Sequence, residues 1–320
     1  LIEKSLNIEL PVSEDFRVQK NRFLPVNLDI DEAIEEKVKR ISIVSGTHGD
    51  ELEGQYVCYL LSDWLNNNKD KINGIIDIYP ALNSLGIDSI TRSIPFYNVD
   101  LNRIFPGKKN DFLPSQIAEG IIEEISGSDF AIDIHSSNIF LRELPQVRMS
   151  AEFKDSLLPL AKKMGIDFIW IHDAITVLEA TFAHTMNSRG TKTLVVEMGV
   201  GMRITPEYCF SLVEGLKNLM AYLGILNIPV VNLKEPVISE NGEVFYLNAG
   251  NSGLFVPTTA HYETVKHGDK IGNIVSPLSG KIEEEVFSPA NGVLFTLREY
   301  PIVYEGSLLA RIFAFYDNHK

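Results

Sequence analysis

Ile41-Ser-Ile-Val-Ser45-Gly-Thr-His48-Gly-Asp50-Glu51 is the stretch on which the fold turns. It begins as a β-rich run, breaks at Gly46, and passes into residues 51–67, an apolar-periodic segment closed by an Asn run. β-Branched residues favour a strand, glycine a tight turn, and apolar positions at helical spacing a helix. A strand feeding a helix puts the turn, with its side chains, at the edge of the sheet, where open α/β proteins build their sites.

Outward from this stretch the same alternation continues. Residues 75–79 are an apolar run cut off by Pro80, residues 115–125 read as a helix and residues 130–134 as a buried strand. Residues 151–164 look helical, 167–171 extended and 175–187 helical again. A strand at 193–196 then precedes a helix at 206–223, with Thr205 as candidate cap. Before Arg40 the chain reads as short β-type pieces around Pro11 and Pro25, followed by a charged turn. Strands alternating with helices predict an α/β fold whose sheet is covered on both faces. After Pro229 no helical pattern remains, and Gly250, Gly253, Gly268, Gly272, Gly280, Gly292 and Gly306 punctuate short apolar runs. That cadence predicts a small all-β domain, so residues 1–229 and 230–320 are read as two domains.

Hydrophobic residues make up 45% of the 320 and charged residues 22%, an ordinary globular balance. The net charge of −14 repels phosphate backbones, which argues against nucleic acid as a partner. It also means that an anionic substrate needs arginines gathered at the site. No run of 18 apolar residues is present, so no membrane span is expected. The first ten residues lack the pattern of a signal peptide. Cys58 and Cys209 fall inside apolar helical patterns and read as inert thiols in a reducing cytoplasm.

Four clusters can carry chemistry. His48 and Glu51, three apart across the strand-to-helix turn, can reach one ion, and imidazole nitrogen and carboxylate oxygen are both good zinc ligands. Alone, the pair also fits a Glu that caps a helix start. Phe130-Ala-Ile-Asp-Ile-His135-Ser-Ser brings an apolar strand to a His on the same rim, where it is either a third ligand or a hydrogen-bonded strand end; Asp133 could orient it. Thr193-Leu-Val-Val-Glu197-Met-Gly delivers a carboxylate at another strand end, a general base or a structural cap. Asn98-Val-Asp100-Leu-Asn102-Arg103 offers a carboxylate a planar fork beside an amide, and Arg92 offers a cation to an oxyanion. Each arginine fits a surface salt bridge equally well. Arg142 and Arg148 either add cations to the pocket or sit on an edge strand. His184 reads as structural, and His261 and His267 as surface or turn residues.

Taken in order, Gly-Thr-His48-Gly-Asp-Glu51, Asp100-Leu-Asn102-Arg103, Asp-Ile-His135 and Val-Glu197 resemble the succinylglutamate desuccinylase/aspartoacylase family of zinc carboxypeptidase-like hydrolases. The resemblance spans about residues 41–200. It implies a mixed, mostly eight-stranded sheet flanked by helices. It also implies one zinc per chain on His48, Glu51 and His135, with Glu197 as base. Asn102 and Arg103 would bind a substrate carboxylate, and Arg92 would polarise the carbonyl. The implied reaction is hydrolysis of the amide of a small anionic N-acyl amino acid. A carboxypeptidase acting on peptides and a non-catalytic zinc-binding relative are the alternatives. The C-terminal region is similar to the barrel-sandwich fold of biotinyl and lipoyl carrier domains, but Lys281 lacks a carrier's acceptor motif. That region is expected to shape the pocket mouth or a homo-oligomer contact.

Overall fold

A computed structural model describes residues 1–10, 13–172 and 179–316. The chain opens with β1 (Ile2–Glu9) antiparallel to β2 (Asp15–Phe23). Helix α1 (Ile30–Glu35), started by a capping box between Asp29 and Glu32, leads into β3 (Arg40–Ser45). There follow α2 (Glu53–Asn67), β4 (Ile75–Tyr79), α3 (Ser84–Ser89) and α4 (Leu113–Ile125). Next come β5 (Phe130–Ser136), β6 (Leu141–Ser150), α5 (Lys154–Ala161) and β7 (Phe168–His172). The first part closes with α6 (Phe182–Ser188), β8 (Lys192–Gly199) and α7 (Pro206–Tyr222).

Strands β4, β3, β5 and β8 lie side by side and parallel. The chain passes from β3 to β4 on one side and then across to β5 on the other. The carboxyl ends of β3 and β5 therefore flank the switch point where such sheets open a ligand crevice. Side chains alternate along each strand. Ile41 and Ile43 on β3, Ile132 and Ile134 on β5, and Leu194, Val196 and Met198 on β8 enter the core shared with α2, α5 and α7. The alternate positions Asp133, His135, Thr193, Val195 and Glu197 line a cavity. A second core on the other side holds α4, α6, Val44, Tyr79 and part of β2.

Beyond residue 229 come β9 (Val237–Ile238), β10 (Gly242–Asn248), β11 (Gly253–Pro257), β12 (Thr264–Val265) and β13 (Lys270–Ser276). They are followed by β14 (Lys281–Phe287), β15 (Gly292–Arg298), β16 (Ile302–Val303) and β17 (Leu308–Phe315). β11, β13, β14 and β16 form a separate four-stranded sheet, and a core including Phe255, Ile274, Leu294 and Ile312 joins it to the larger one.

Five expectations are corrected here. Residues 30–35 form α1 where a charged turn is expected. The eight strands β1 to β8 do not end the sheet: β15 pairs β6, and the sheet grows to thirteen strands. β6 is consequently interior, hydrogen-bonded to β8, β7 and β15, and not an edge strand. The helix expected at residues 175–187 is the shorter α6; residues 173–178 lie outside the described residues. Thr205 precedes α7, but its side chain makes no capping bond, and its N–H donates to Glu53 Oε2 at 2.9 Å.

A buried ion cluster ties β2, β3 and β4 at the end of the sheet away from the crevice. Asp77, fully buried, takes two bonds from Arg22 (2.7 and 2.9 Å) and one from Arg40 Nε (2.9 Å). Burial works against its charge, yet the two guanidiniums win and hold the carboxyl below its ordinary value. A lowered folded-state pKa contributes stability in full above the unfolded value of ~3.9, and that stability is lost as pH falls through the folded value. Asp77→Ala strands two cations, so urea unfolding is expected to show a loss of about 3–5 kcal/mol at neutral pH. A loss below about 1 kcal/mol, the size of a surface pair, would place the cluster among negligible ion pairs.

Candidate metal centre and cavity

His48 and Glu51 sit in the turn after β3, and His135 on β5 reaches them across the switch point. The turn is tight because Gly49 packs on the backbone of α3: a Cβ there would lie 1.9 Å from the Gly86 carbonyl carbon. All three side chains are buried, and one ligand atom from each lies within 4.8 Å of the others. Glu51 is the hub. Its Oε1 meets His48 Nδ1 at 2.7 Å, and its Oε2 meets His135 Nδ1 at 2.9 Å. It also accepts from Ser136 N at 3.1 Å and Arg92 Nη1 at 2.9 Å.

Each imidazole turns its far nitrogen to another carboxylate. His48 Nε2 is 2.9 Å from Asp100 Oδ1, and His135 Nε2 is 3.0 Å from Asp133 Oδ2. The second contact is close but poorly aligned, and both Asp133 oxygens are buried without an aligned donor. Burial opposes charge on both imidazoles. Glu51 at His48, and Asp133 with Glu51 at His135, outweigh it and raise both pKa values, His135 the more. Histidines that point one nitrogen at a shared centre and the other at a carboxylate are the arrangement that orients metal ligands. Sequence pattern alone assigns Asp100 no role; its place two residues before Asn102 is the one signal that points to it.

The Asp100-Leu-Asn102-Arg103 motif is built around that contact. Asp100 Oδ1 also accepts the Asn102 N–H at 2.9 Å, and Leu101 is fully buried as the anchor. Asn102 Oδ1 takes the Phe182 N–H at 2.9 Å, which leaves its NH2 as the donor available to the cavity. Arg103 is exposed and donates to the Asn102 carbonyl at 2.8 Å; among the described residues no carboxylate pairs with it. Arg92 Nε donates to Asp100 Oδ2 at 3.3 Å, so this arginine bridges the Glu51 and Asp100 carboxylates.

A cavity of about 300 Å³ joins these groups; its walls include Arg92, Asn102, Arg103, Arg148, His172 and Glu197. Glu197 stands opposite His135 in the β5–β8 pairing, 20% exposed, and its Oε1 is 3.5 Å from Arg148 Nη1. Burial lifts the Glu197 carboxyl above its usual value, Arg148 opposes that, and the Glu51 charge adds to it. His172 stacks on Trp170 with ring centres 4.7 Å apart. Burial, with Arg148 and Arg311 nearby, takes its pKa down to about 4, so the imidazole is neutral. His184 also lines the cavity, edge-on to Phe153.

One expectation fails. Arg142 does not line the cavity; its guanidinium is paired with Glu299, drawn there by the β6–β15 pairing. His261 lies in a turn, one of the two places its sequence reading gave, and is half-buried between the Phe295 carbonyl (3.0 Å) and the Tyr208 hydroxyl (3.3 Å).

The family model of the succinylglutamate desuccinylase/aspartoacylase catalytic domain matches residues 37–223. The N-alpha-acetyl-L-2,4-diaminobutyric acid deacetylase of Halomonas elongata is 26% identical over 318 residues, covering 95% of this chain and 90% of its own length. A succinylglutamate desuccinylase/aspartoacylase from Rhodobacter sphaeroides superimposes with a TM-score of 0.77 at 20% identity, covering 98% of this chain and 96% of that one. The product-bound ectoine utilization protein EutE (DoeB) from Ruegeria pomeroyi gives 0.78 at 18% identity, covering 97% and 93%.

Proposed function

The chain belongs to the succinylglutamate desuccinylase/aspartoacylase family, an amidohydrolase lineage, and from that premise we propose that it hydrolyses the amide bond of a small N-acyl amino acid with zinc held by His48, Glu51 and His135. The observation that carries this reading is the pair of carboxylate–imidazole contacts. With Nε2 of both histidines on Asp100 and Asp133, the Nδ1 atoms and Glu51 are left facing one another, a donor set of the kind that catalytic zinc takes. Zinc bound there supplies Lewis-acid chemistry, acidifying a water and polarising a carbonyl.

The chain's own residues do the rest. Glu197 accepts the proton of the attacking water at a carboxylate oxygen and returns it to the departing nitrogen, a transfer suited to a carboxyl lifted by burial. Arg92, fixed against Glu51 and Asp100, presents positive charge to the oxygen on which charge develops. Asn102 and Arg103 hold the substrate carboxylate, the arginine through a fork and the amide through its free donors. Arg148, also on the cavity wall, offers a second cation to an anionic substrate. The cavity is at the small end for ligand sites, which favours an acyl amino acid over a peptide chain. As part of this reading, residues 1–229 form the catalytic unit, and the strands beyond residue 229 form a barrel-sandwich-like unit joined to it through the β6–β15 pairing.

A panel of N-acetyl, N-succinyl and other N-acyl amino acids tests the reading, with Arg103→Met alongside wild type. Wild type is expected to cleave at least one member. Arg103→Met is expected to raise KM for it by about 10-fold or more, the scale of a lost charge-assisted hydrogen bond, with a smaller change in kcat. Cleavage of a C-terminal peptide bond and of no acyl amino acid would replace this reading with a carboxypeptidase.

A further inference from the structure

A polar cluster behind the cavity connects the C-terminal strands to Glu197. Its centre is Glu143 on β6, only 2% exposed although it carries a carboxylate. Oε1 accepts from Arg311 Nη1 at 2.7 Å and from Arg148 Nη2 at 3.4 Å; Oε2 accepts from Thr296 Oγ1 at 2.7 Å and Gln146 Nε2 at 2.9 Å. Thr296 lies on β15 and Arg311 on β17, so the two short bonds that fix this carboxylate come from residues beyond 229. Trp170 packs against both arginines, each guanidinium carbon 5.3 Å from its ring centre.

Arg148 stands between two carboxylates and is held closely by neither: 3.4 Å to Glu143 on one side and 3.5 Å to Glu197 on the other. Two acids compete for one cation, and the winner decides whether Glu197 is free to take a proton. An Arg–carboxylate pair in a dry site prefers short two-point contact, so without Glu143 the Arg148 guanidinium would close on Glu197. Repulsion from Arg311, no longer neutralised, would push the same way.

We propose that Glu143 is a positioning residue that, gripped from the C-terminal strands by Thr296 and Arg311, draws Arg148 off Glu197 and keeps the base available. This rests on the reading of Glu197 as the base. It gives the C-terminal segment a defined part in turnover without any contact with substrate.

The test uses the full-length zinc-loaded protein and a cleaved acyl amino acid. Glu143→Gln keeps the shape but removes the charge, and it is expected to lower kcat about tenfold or more, a fraction of what a general base supplies. Adding Arg148→Met to Glu143→Gln should restore most of kcat while KM rises, because the cation that blocks the base is gone together with a substrate contact. Damage to folding alone cannot produce such a rescue. Thr296→Val, which removes one of the four bonds and is the milder change, should shift kcat in the same direction by less. A readout independent of turnover comes from the protein's two tryptophans: in a Trp64→Phe background Trp170 is the sole tryptophan, and its selectively excited emission should change on Glu143→Gln without substrate. Unchanged kcat in Glu143→Gln, or a double variant no better than the single, overturns the proposal. If no amide is cleaved at all, the functional reading fails, and an unchanged Trp170 emission would then overturn the positioning role separately.

Discussion

Glu197→Gln is expected to keep the fold and the bound metal and to lose turnover by about 10²–10⁴-fold, the range that a positioned general base contributes. The substitution is nearly isosteric, and the only ion pair of Glu197 among the described residues is the 3.5 Å contact to Arg148. Little structural energy is therefore at stake, and a large loss must come from the proton transfer. KM should move less than kcat, since an interaction made only in the transition state is removed. Turnover within a few-fold of wild type would make Glu197 a structural residue and leave the site without a base.

The second large effect is expected at the metal. His135→Ala removes one of three ligands and leaves Glu51 Oε2 with only the Ser136 N–H among the contacts described for it. Zinc affinity, measured by competition with a chromogenic chelator, should fall more than about 100-fold, the upper effect of losing an outer partner. Asp133→Asn and Asp100→Asn provide the scale, each expected to cost about 10–100-fold because they disturb only the orientation of an imidazole. Equal losses at Asp133 and His135 would mean that the carboxylate, and not the imidazole, meets the ion.

Much of the site was legible in the sequence because its chemistry sits on strand ends. An apolar run that stops on a His or Glu predicts a polar side chain at a sheet rim, and His135 and Glu197 fall in register across β5 and β8. His48 and Glu51 were legible for the same reason, from the strand and the glycines before the helix. What local pattern did not carry was sheet order. Nothing near residue 141 indicates that its strand is interior, since its partner β15 lies more than 150 residues on, as the Thr296–Glu143 separation of 153 shows. Arg142 and Arg148 thus looked alike in sequence, while a bulge and the β15 pairing send one to Glu299 and the other to the cavity. Asp100 and Glu143 were missed because acidic residues in an acidic chain are unremarkable until their partners are seen.

Metal binding coupled to hydrolysis is the property on which the proposed function most depends. Chain freed of metal is titrated with zinc while binding is followed by calorimetry and cleavage of an N-acyl amino acid is assayed in the same samples. About one zinc per chain is expected, the stoichiometry of a single three-ligand catalytic site, with cleavage rising in step with occupancy and absent before it. Cleavage that proceeds at full rate in metal-free protein, or zinc binding that His135→Ala leaves unchanged, would contradict it.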